Sequence, residues 1–241
     1  MNIAVVIAGG IGSRVGQEIP KQFLEINGVP LIIYTLNVFQ NNNNIHKIIV
    51  VTLPAWKSTL TNYCHQYGIS KLDTIVDAGK VRFESIYNGV KYIKNFAKDD
   101  DLVVLHDANR PLLSNAVLDN SLTTAQKYGS ALSILPCYDA MFISHDGCIA
   151  DEDVDKKILF QGQTPETFHF SIINEVCRKN FEEGKVDLSI SALLLKDGKK
   201  VYLSKGSNQN FKITTQEDLD LFKALLNISP SRKLSQKNKS I

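Results

Sequence analysis

Strand-length runs of apolar residues alternate with segments of helical periodicity along the first half of this chain. The runs are rich in valine and isoleucine and lack polar alternation, which is typical of parallel strands buried on both faces. A helix between successive runs is the connection that parallel strands require. The pattern therefore predicts an α/β fold with a doubly wound, mostly parallel sheet, whose ligands lie at the carboxyl ends of the strands. The predicted strands are Ile3–Ile7, Ile48–Thr52, Thr74–Val76 and Leu102–Leu105, and the predicted helices are Pro30–Phe39, Trp56–Tyr67, Phe83–Phe96 and Asn115–Tyr128.

The second half of the chain is less regular and contains a segment that does not fit this alternation. Residues 138–161 carry β-compatible side chains on both sides of an "HDG" turn, which predicts a β-arm projecting from the sheet. Thr215 and Asp218 have the spacing of a capping box and predict the start of the last helix. The other predicted elements are strands Ala131–Pro136 and Lys200–Ser204 and helices Phe170–Phe181, Ser189–Lys196 and Gln216–Leu226.

Length and charge limit the class of protein. The 241 residues suffice for one α/β core, and we expect a single domain over residues 1–228. Residues 229–241 are polar, with four basic residues and no acid, and are predicted to form a disordered basic tail. Subtracting these four leaves 23 basic against 25 acidic residues. The charge therefore gives no support to a nucleic-acid partner.

Apolar runs and cysteines exclude further classes. No run reaches the ~18 to 20 residues of a membrane helix, and the start of the chain lacks the basic region and cleavage site of a secretory signal. We expect a soluble, cytoplasmic protein with no membrane partner. The four cysteines form no C-x-x-C pair, so neither a zinc site nor a disulfide framework is indicated. They are Cys64, Cys137, Cys148 and Cys177.

A glycine-rich stretch, "IAGGIGSRVGQEIPKQF", begins within the first predicted strand and runs on beyond it. Gly10, Gly12 and Gly16 do not have the G-x-G-x-x-G spacing of a dinucleotide site, and the G-K-[ST] of a Walker loop is absent. The amides of such a loop can still surround phosphates, and Arg14 and Lys21 add two cations, which favours a triphosphate. The alternative is a tight turn with two solvated surface cations.

The motif "LHDANRP" lies at the end of another predicted strand. Asp107 would lie at the carboxyl end of a central strand, where a carboxylate can hold a divalent cation against phosphate oxygens. The alternative is that Asp107 caps the next turn. Arg110 could bind either a phosphate or a neighbouring acid.

Two other segments contribute candidates only in combination with these. "AGKVRFES" places Gly79 after a strand and Ser85 one helical turn beyond Arg82. Lys212 lies in "FKITTQEDL", just before the last helix, although a lone lysine is usually solvated surface. No G-x-S-x-G elbow is present, so Ser–His–Asp chemistry has no support.

In order and spacing, these motifs resemble those of a known family of enzymes. "IAGGIGSR", "PKQF", "HDANRP", "QTP" and "KIT" are similar to the motifs of cytidylyltransferases that act on sugar-alcohol phosphates, which include the methylerythritol-phosphate and ribitol-5-phosphate enzymes. The resemblance extends to Leu226 and implies a Rossmann-like nucleotidyltransferase fold. It also implies CTP and a sugar-alcohol phosphate as substrates, Mg²⁺ as cofactor, and a homodimer formed through the arm at about residues 138–161.

The resemblance implies a role for each matching residue. The glycine-rich loop and the segment after the third strand would bind the nucleotide, three cations would assist the transfer, and Asp107 would bind both metal and substrate. The implied nucleotide-binding residues are Ala8, Gly9, Gly10, Gly12, Gly79 and Ser85, the catalytic ones are Arg14, Lys21 and Lys212, and the substrate-binding ones are Asp107, Arg110, Lys156 and Asp187.

Several positions depart from the family pattern, mostly on the substrate side. Lys156 replaces an arginine that binds the substrate phosphate across the dimer, and lacks its bidentate fork. Asp187 and Leu188 replace a Thr-Asp pair, which puts an anion in place of a hydroxyl. Ala140 replaces a threonine of the arm, and Lys80 replaces an acidic residue on the nucleotide side.

The segment "FQGQTPETF" is more similar to the ribitol-phosphate branch, which makes D-ribitol 5-phosphate the expected substrate and CDP-ribitol the expected product. The alternatives are 2-C-methyl-D-erythritol 4-phosphate or another polyol or sugar phosphate of capsule assembly. A catalytically silent nucleotide-binding protein is the non-enzymatic alternative. An oxidoreductase is disfavoured by the glycine spacing and by the lack of a ribose-binding acid.

Overall fold

The computed structural model describes residues 1–10, 19–184 and 188–228, and its centre is a sheet of seven strands. The strands of the described chain are β1 (Asn2–Ala8), β2 (Glu25–Ile26), β3 (Val29–Pro30), β4 (Lys47–Thr52), β5 (Leu72–Asp77), β6 (Leu102–Asp107), β7 (Ser130–Pro136), β8 (Met141–Ile143), β9 (Glu152–Val154), β10 (Phe160–His169) and β11 (Leu203–Lys205). The order in the sheet is β11-β7-β10-β6-β1-β4-β5. Neighbours among β1, β4, β5 and β6 pair in parallel, and β11 pairs in parallel with β7. The predicted doubly wound, mostly parallel sheet is confirmed.

Helices connect these strands across both faces of the sheet. They are α1 (Leu31–Asn41), α2 (Lys57–Gln66), α3 (Arg82–Ile93), α4 (Asn115–Tyr128), α5 (Phe170–Glu182), α6 (Ile190–Lys196) and α7 (Gln216–Ile228), with 3-10 turns at Lys21–Phe23, Pro54–Trp56 and Lys156–Ile158. The ends of the predicted helices and strands shift by at most three residues. The predicted capping box is present, since Thr215 N donates to Asp218 Oδ2 (2.8 Å) and Asp218 N donates to Thr215 Oγ1 (3.3 Å).

The central strands are buried on both faces, as their unbroken apolar runs predict. In β1, Ala4 and Val6 belong to a cluster with α1, α4 and α7, whereas Ile3 and Val5 belong to a cluster with α3, α5 and α6. Successive strand side chains point to opposite faces, so a strand between two helical layers needs apolar residues at every position.

Strand β10 is the strand of the central sheet that the sequence did not predict. It lies between β6 and β7, antiparallel to both, and contains the "QTP" motif, whose register is interrupted between Gln163 and Glu166. The strand pattern in the sequence is weakened by Gly162, Pro165 and the polar residues around them. The segment is still a strand because it pairs with a neighbour on both edges, and this pairing outweighs local propensity.

The arm is a two-stranded hairpin of β8 and β9 beyond the ends of β7 and β10. Met141 pairs with Val154 and Ile143 with Glu152. Its apolar side chains are largely exposed within one chain: Tyr138 is 70% exposed, Phe142 61% and Ile158 72%. Two isolated strands are marginally stable in water, so this hairpin needs a further surface against which to pack.

Two other sequence predictions concern cysteines and membrane segments. All four cysteines lie in the described residues and none is paired; Cys64 and Cys177 are buried, Cys137 is half-buried and Cys148 is exposed on the arm. Among the described helices, none has both the length and the apolarity needed to cross a membrane. The predicted basic tail, 229–241, lies outside the described residues.

Candidate active site

A cleft of about 450 Å³ opens where β1, β5 and β6 end at their carboxyl edge. This is the edge at which doubly wound sheets bind ligands. The segments that follow the three strands form its walls, which are completed by the 3-10 turn Lys21–Phe23 and by the chain before α7. The lining residues include Ala8, Gly9, Gly10, Lys21, Gln22, Gly79, Lys80, Arg82, Ser85, Asp107, Asn109 and Lys212.

The segment after β1 is held by one amide side chain. Gln22 Nε2 donates to the carbonyl oxygens of Ala8 (2.6 Å) and Gly10 (3.0 Å). Gly9 has no room for a side chain, because an added Cβ would lie 2.6 Å from the Cβ of Ala78. The backbone thus approaches the next loop closely, while Gly12 and Arg14 of the same motif lie outside the described residues.

The segment after β5 is fixed to the first turn of α3. Ser85 Oγ accepts from the amide of Gly79 (3.0 Å) and donates to the carbonyl of Val81 (3.2 Å). Glu84 accepts from the amide of Lys80 at 2.6 Å. A Cβ at Gly79 would lie 2.2 Å from that of Glu84, so glycine is required there. Gly79 and Ser85 both line the cleft, as their implied roles require.

Asp107 is surrounded by three cations. Its Oδ1 lies 3.2 Å from Arg82 Nη2, and its Oδ2 lies 3.1 Å from Lys212 Nζ and 3.4 Å from Arg110 Nε. Burial alone would raise the pKa of Asp107, but the positive charges of Arg82, Lys212 and Arg110 outweigh it and hold the pKa far below its usual range. The carboxylate is therefore ionised at any physiological pH.

Two motifs that are far apart in sequence are joined beside Asp107. Ile213 N donates to the carbonyl of Asn109 (2.9 Å), and Asn109 Nδ2 donates to the carbonyl of Ile213 (2.8 Å). This reciprocal pair connects "HDANRP" to "KIT" and places Lys212 at the cleft. Arg110 is only 12% exposed, and its guanidinium also donates to the carbonyl of Asn210 at 2.8 Å. Arg110 therefore contacts Asp107 but is not among the residues that line the cleft.

The "QTP" motif of β10 holds the backbone of Asp107. Thr164 Oγ1 accepts from the amide of Asp107 at 3.2 Å, and the Thr164 carbonyl accepts from Asn210 Nδ2 at 2.6 Å. The motif therefore belongs to the site through backbone and hydroxyl contacts that its sequence alone does not reveal.

The histidine of "HDANRP" faces the core and does not act on the cleft. Its Nε2 lies 3.1 Å from the carbonyl of Arg110 and therefore carries the hydrogen, since a carbonyl only accepts. Its Nδ1 is buried without a hydrogen-bond partner among the described residues. Burial lowers the pKa of His106 to about 4, so the ring is neutral near pH 7.

A pH dependence of stability follows from His106. Above a pH of about 6.5, the pKa of histidine in the unfolded chain, His106 is neutral in both states. Below that pH the histidine of the unfolded chain binds a proton, whereas His106 in the folded protein stays neutral down to about pH 4. Stability is thus lost as pH falls from about 6.5 toward 4, by about 2 kcal/mol at pH 5. His106→Gln should remove this part of the loss. Urea unfolding of both proteins at pH 7 and pH 5 measures it, and an equal loss in both would contradict it.

The structure brings together most, though not all, of the predicted site residues. Ala8, Gly9, Gly10, Lys21, Gly79, Ser85, Asp107 and Lys212 line one cleft. Lys156 does not line it within one chain: it lies in the 3-10 turn that follows β9 within the arm, where its ammonium donates to the carbonyl of Tyr138 at 2.5 Å. Asp187 lies outside the described residues.

A magnesium ion fits this cleft only together with phosphates. Among the described residues, no group of three or more His, Cys, Asp or Glu side chains could hold a metal. Asp107 offers a single carboxylate in strongly cationic surroundings. Mg²⁺ is commonly held by one or two carboxylates plus substrate phosphates and water, so the donor set suits an ion that enters with a triphosphate.

Sequence reasoning missed three contributors to the site. Arg82, Gln22 and Thr164 contact Asp107 or the glycine segment directly. Gln22 and Thr164 lie inside the motifs "PKQF" and "QTP", so motif membership was the available signal. For Arg82 the sequence offered its position before a predicted helix and three residues before Ser85.

Comparisons with known proteins agree with the geometry. Residues 2–228 match the family model described as "IspD: 2-C-methyl-D-erythritol 4-phosphate cytidylyltransferase". The chain is 34% identical over 229 residues to a ribitol-5-phosphate cytidylyltransferase of Lacticaseibacillus paracasei, covering 94% of this chain and 98% of the relative. It is 35% identical over 226 residues to a 2-C-methyl-D-erythritol 4-phosphate cytidylyltransferase of Clostridium botulinum, covering 93% of this chain and 97% of the relative.

The fold is also similar to a solved structure. The crystal structure of 4-diphosphocytidyl-2C-methyl-D-erythritol synthase from Anaerococcus prevotii superposes with a TM-score of 0.80 at 23% identity, covering 94% of this chain and 96% of that one. At this identity the likeness concerns the fold.

Proposed function

Because the chain belongs to the IspD family and is a nucleotidyltransferase that uses CTP, we propose that it transfers CMP from CTP to D-ribitol 5-phosphate. The products are CDP-ribitol and pyrophosphate. The observation that supports this proposal best is the single cleft in which Asp107 and its cations face a glycine-rich backbone. Glycine amides and cations suit a triphosphate, and the carboxylate suits the hydroxyls of a polyol.

The transfer requires two polyanions to come into contact. A phosphate oxygen of the alditol phosphate attacks the α-phosphorus of CTP in line, a new P–O bond forms, and the bond to the β-phosphate breaks to release pyrophosphate. Lys21 and Lys212 line the cleft in which this contact would occur. Their charges, with that of Arg14, offset the negative charge that develops on the transferring phosphoryl group.

Other groups of the chain orient the substrates. Gly79 and Ser85 hold the segment against which the nucleoside would lie, and Gln22 fixes the carbonyls of the opposite segment. Asp107 would hold Mg²⁺ together with the phosphates, and this ion would supply further charge neutralisation. Positioning and electrostatics therefore account for the catalysis proposed here.

Methylerythritol phosphate is the second candidate for the acceptor. The relative from Clostridium botulinum with that name is as similar to this chain as the ribitol-phosphate relative. "FQGQTPETF" favours ribitol phosphate, and the cleft suits either compound because both combine a phosphate with a polyol.

A pyrophosphate-release assay distinguishes these candidates. CTP is combined with ribitol 5-phosphate, methylerythritol 4-phosphate, glycerol 3-phosphate or a pentulose phosphate, and kcat/KM is measured for each. We expect ribitol 5-phosphate to give the highest value. A higher value for methylerythritol phosphate would favour the second candidate, and CTP binding without pyrophosphate release would indicate a silent nucleotide-binding protein.

The arm supports a homodimer as part of this proposal. The exposed side chains of Tyr138, Phe142 and Ile158 need a surface to cover them, and a second copy of the chain would provide it in an isologous arrangement. Lys156 would then reach the partner's cleft and bind the substrate phosphate there.

Mixing two inactive variants tests the shared site. Lys21→Ala removes a cation from its own cleft, and Lys156→Ala removes one from the partner's cleft. A mixed dimer contains one cleft with both lysines, so we expect part of the activity to return, up to about a quarter of the wild-type value after random exchange. A monomer in size measurements, or mixed dimers of two inactive variants that recover nothing, would contradict the shared site.

A further inference from the structure

Glu166 is a buried carboxylate that the proposed reaction does not use. Its side chain is 4% exposed and lies on β10 directly after the "QTP" motif. It points to the same face of the sheet as Phe168, toward the layer of α3, α5 and α6. A buried anion needs donors or cations to offset its loss of hydration, so the partners of Glu166 indicate what it does.

The two oxygens of Glu166 have different partners. Oε2 accepts from Ser191 Oγ at 2.5 Å and from Ser191 N at 3.2 Å. The Ser191 amide belongs to the first turn of α6, where a negative charge is favourable. Oε1 lies 3.9 Å from Nη2 of Arg82. One oxygen is therefore anchored on a helix, and the other faces a cation of the cleft.

Arg82 lies between two buried acids. The same nitrogen, Nη2, is 3.2 Å from Asp107 Oδ1 and 3.9 Å from Glu166 Oε1. Burial opposes the charge of Arg82, but the two carboxylates outweigh it and raise the pKa of the guanidinium. Arg82 is part of the cleft wall. The position of its guanidinium between Asp107 and Glu166 therefore affects the electrostatic potential at a ligand in the cleft.

We propose that Glu166 is a positioning residue that shares Arg82 with Asp107, so that Arg82 keeps a counterion when Asp107 engages the sugar-alcohol phosphate. This inference rests on the proposed function. With Glu166 present, Arg82 has a second anion when Asp107 engages substrate. Without it, Arg82 pairs with Asp107 alone, and the substrate must separate that pair. The effect therefore concerns the acceptor substrate more than CTP.

Glu166→Gln tests the proposal with little change of shape. The amide oxygen can still accept from Ser191, but the NH₂ group then faces Arg82 as one donor against another. We expect kcat/KM for the alditol phosphate to fall about 10- to 100-fold, while the KM for CTP changes little. Thr167→Val is the matched control, since Thr167 is the next residue on β10, is fully buried, and bonds Ser121 on the opposite face. It should alter the melting temperature without this selective loss.

A double-mutant cycle separates positioning from a general structural role. If Glu166 acts through Arg82, Glu166→Gln has little further effect in an Arg82→Ala background. An equal loss in both backgrounds, or a Glu166→Gln enzyme that equals the wild type, overturns the inference while the proposed function stands. A wild-type enzyme that releases no pyrophosphate with any alditol phosphate overturns the proposed function and this inference with it.

Discussion

Lys21→Ala is expected to lower kcat by about 10²-fold or more, because the lysine stabilises charge that develops only as the phosphoryl group is transferred. Lys21 lines the cleft beside the glycine segment, and it is only half-buried. The substitution should therefore have little effect on the free energy of unfolding, although it lowers kcat strongly. The sequence motif predicts the same result for Arg14→Ala.

Steady-state kinetics of pyrophosphate release measure this effect, with melting temperatures of the same preparations. Lys199→Ala is the matched control, since it removes an exposed lysine paired with Glu175 on the surface. The control should keep the wild-type kcat. A Lys21→Ala enzyme with an ordinary turnover number would contradict the assignment of Lys21.

Asp107→Asn is expected to abolish activity and also to destabilise the fold. The substitution removes the only negative charge among Asp107, Arg82, Arg110 and Lys212, whose cationic groups lie within 3.4 Å of the carboxylate. Breaking a fully buried ion pair costs about 3 kcal/mol or more, and we expect a smaller loss here because Arg82 and Lys212 are partly exposed and Arg82 keeps Glu166 nearby. The sequence alone predicts a carboxylate in a surface cleft whose loss leaves the protein folded, and the burial of Asp107 adds a loss of stability to that prediction.

The two consequences can be separated below the melting temperature. Asp73→Asn is the matched control. Asp73 lies near the start of β5, away from the cleft, and pairs with Lys47 of β4 and Tyr92 of α3. It should reduce stability and leave kcat near the wild-type value. Asp107→Asn should be inactive at a temperature where it remains folded. Activity that survives with the same Mg²⁺ requirement would place the metal elsewhere.

The fold was largely predictable because burial on both faces leaves a direct record in the sequence. A parallel strand between two helical layers needs apolar residues on both faces, as in Ile3–Ile7 of β1 and Leu102–Leu105 of β6. β10 leaves no such record. It contains three buried polar residues, Gln163, Thr164 and Glu166. They bond respectively to Ser207 after β11, to Asp107 of the site and to Ser191 of α6, so polar contacts replace the apolar pattern by which a strand is recognised.

The site was predictable where one residue follows a strand and not where two distant residues meet. Asp107 is the last residue of β6 and Gly79 lies two residues beyond β5, and the topology of the sheet brings such positions together. The pairing of Arg82 with Asp107 and Glu166 depends on which face α3 and β10 present to each other. Side-chain reach across that interface is a property of packing, which periodicity does not encode.

The reciprocal bonds between Asn109 and Ile213 also order events during synthesis of the chain. All seven strands of the central sheet are complete by Lys205, whereas the lysine that these bonds place at the cleft is residue 212. A chain that ends after β11 contains all seven strands but lacks both α7 and one of the three cations around Asp107. Lys212 is followed by α7, whose Leu219, Phe222 and Leu226 are buried in the core, so translation completes the site and this face of the scaffold together.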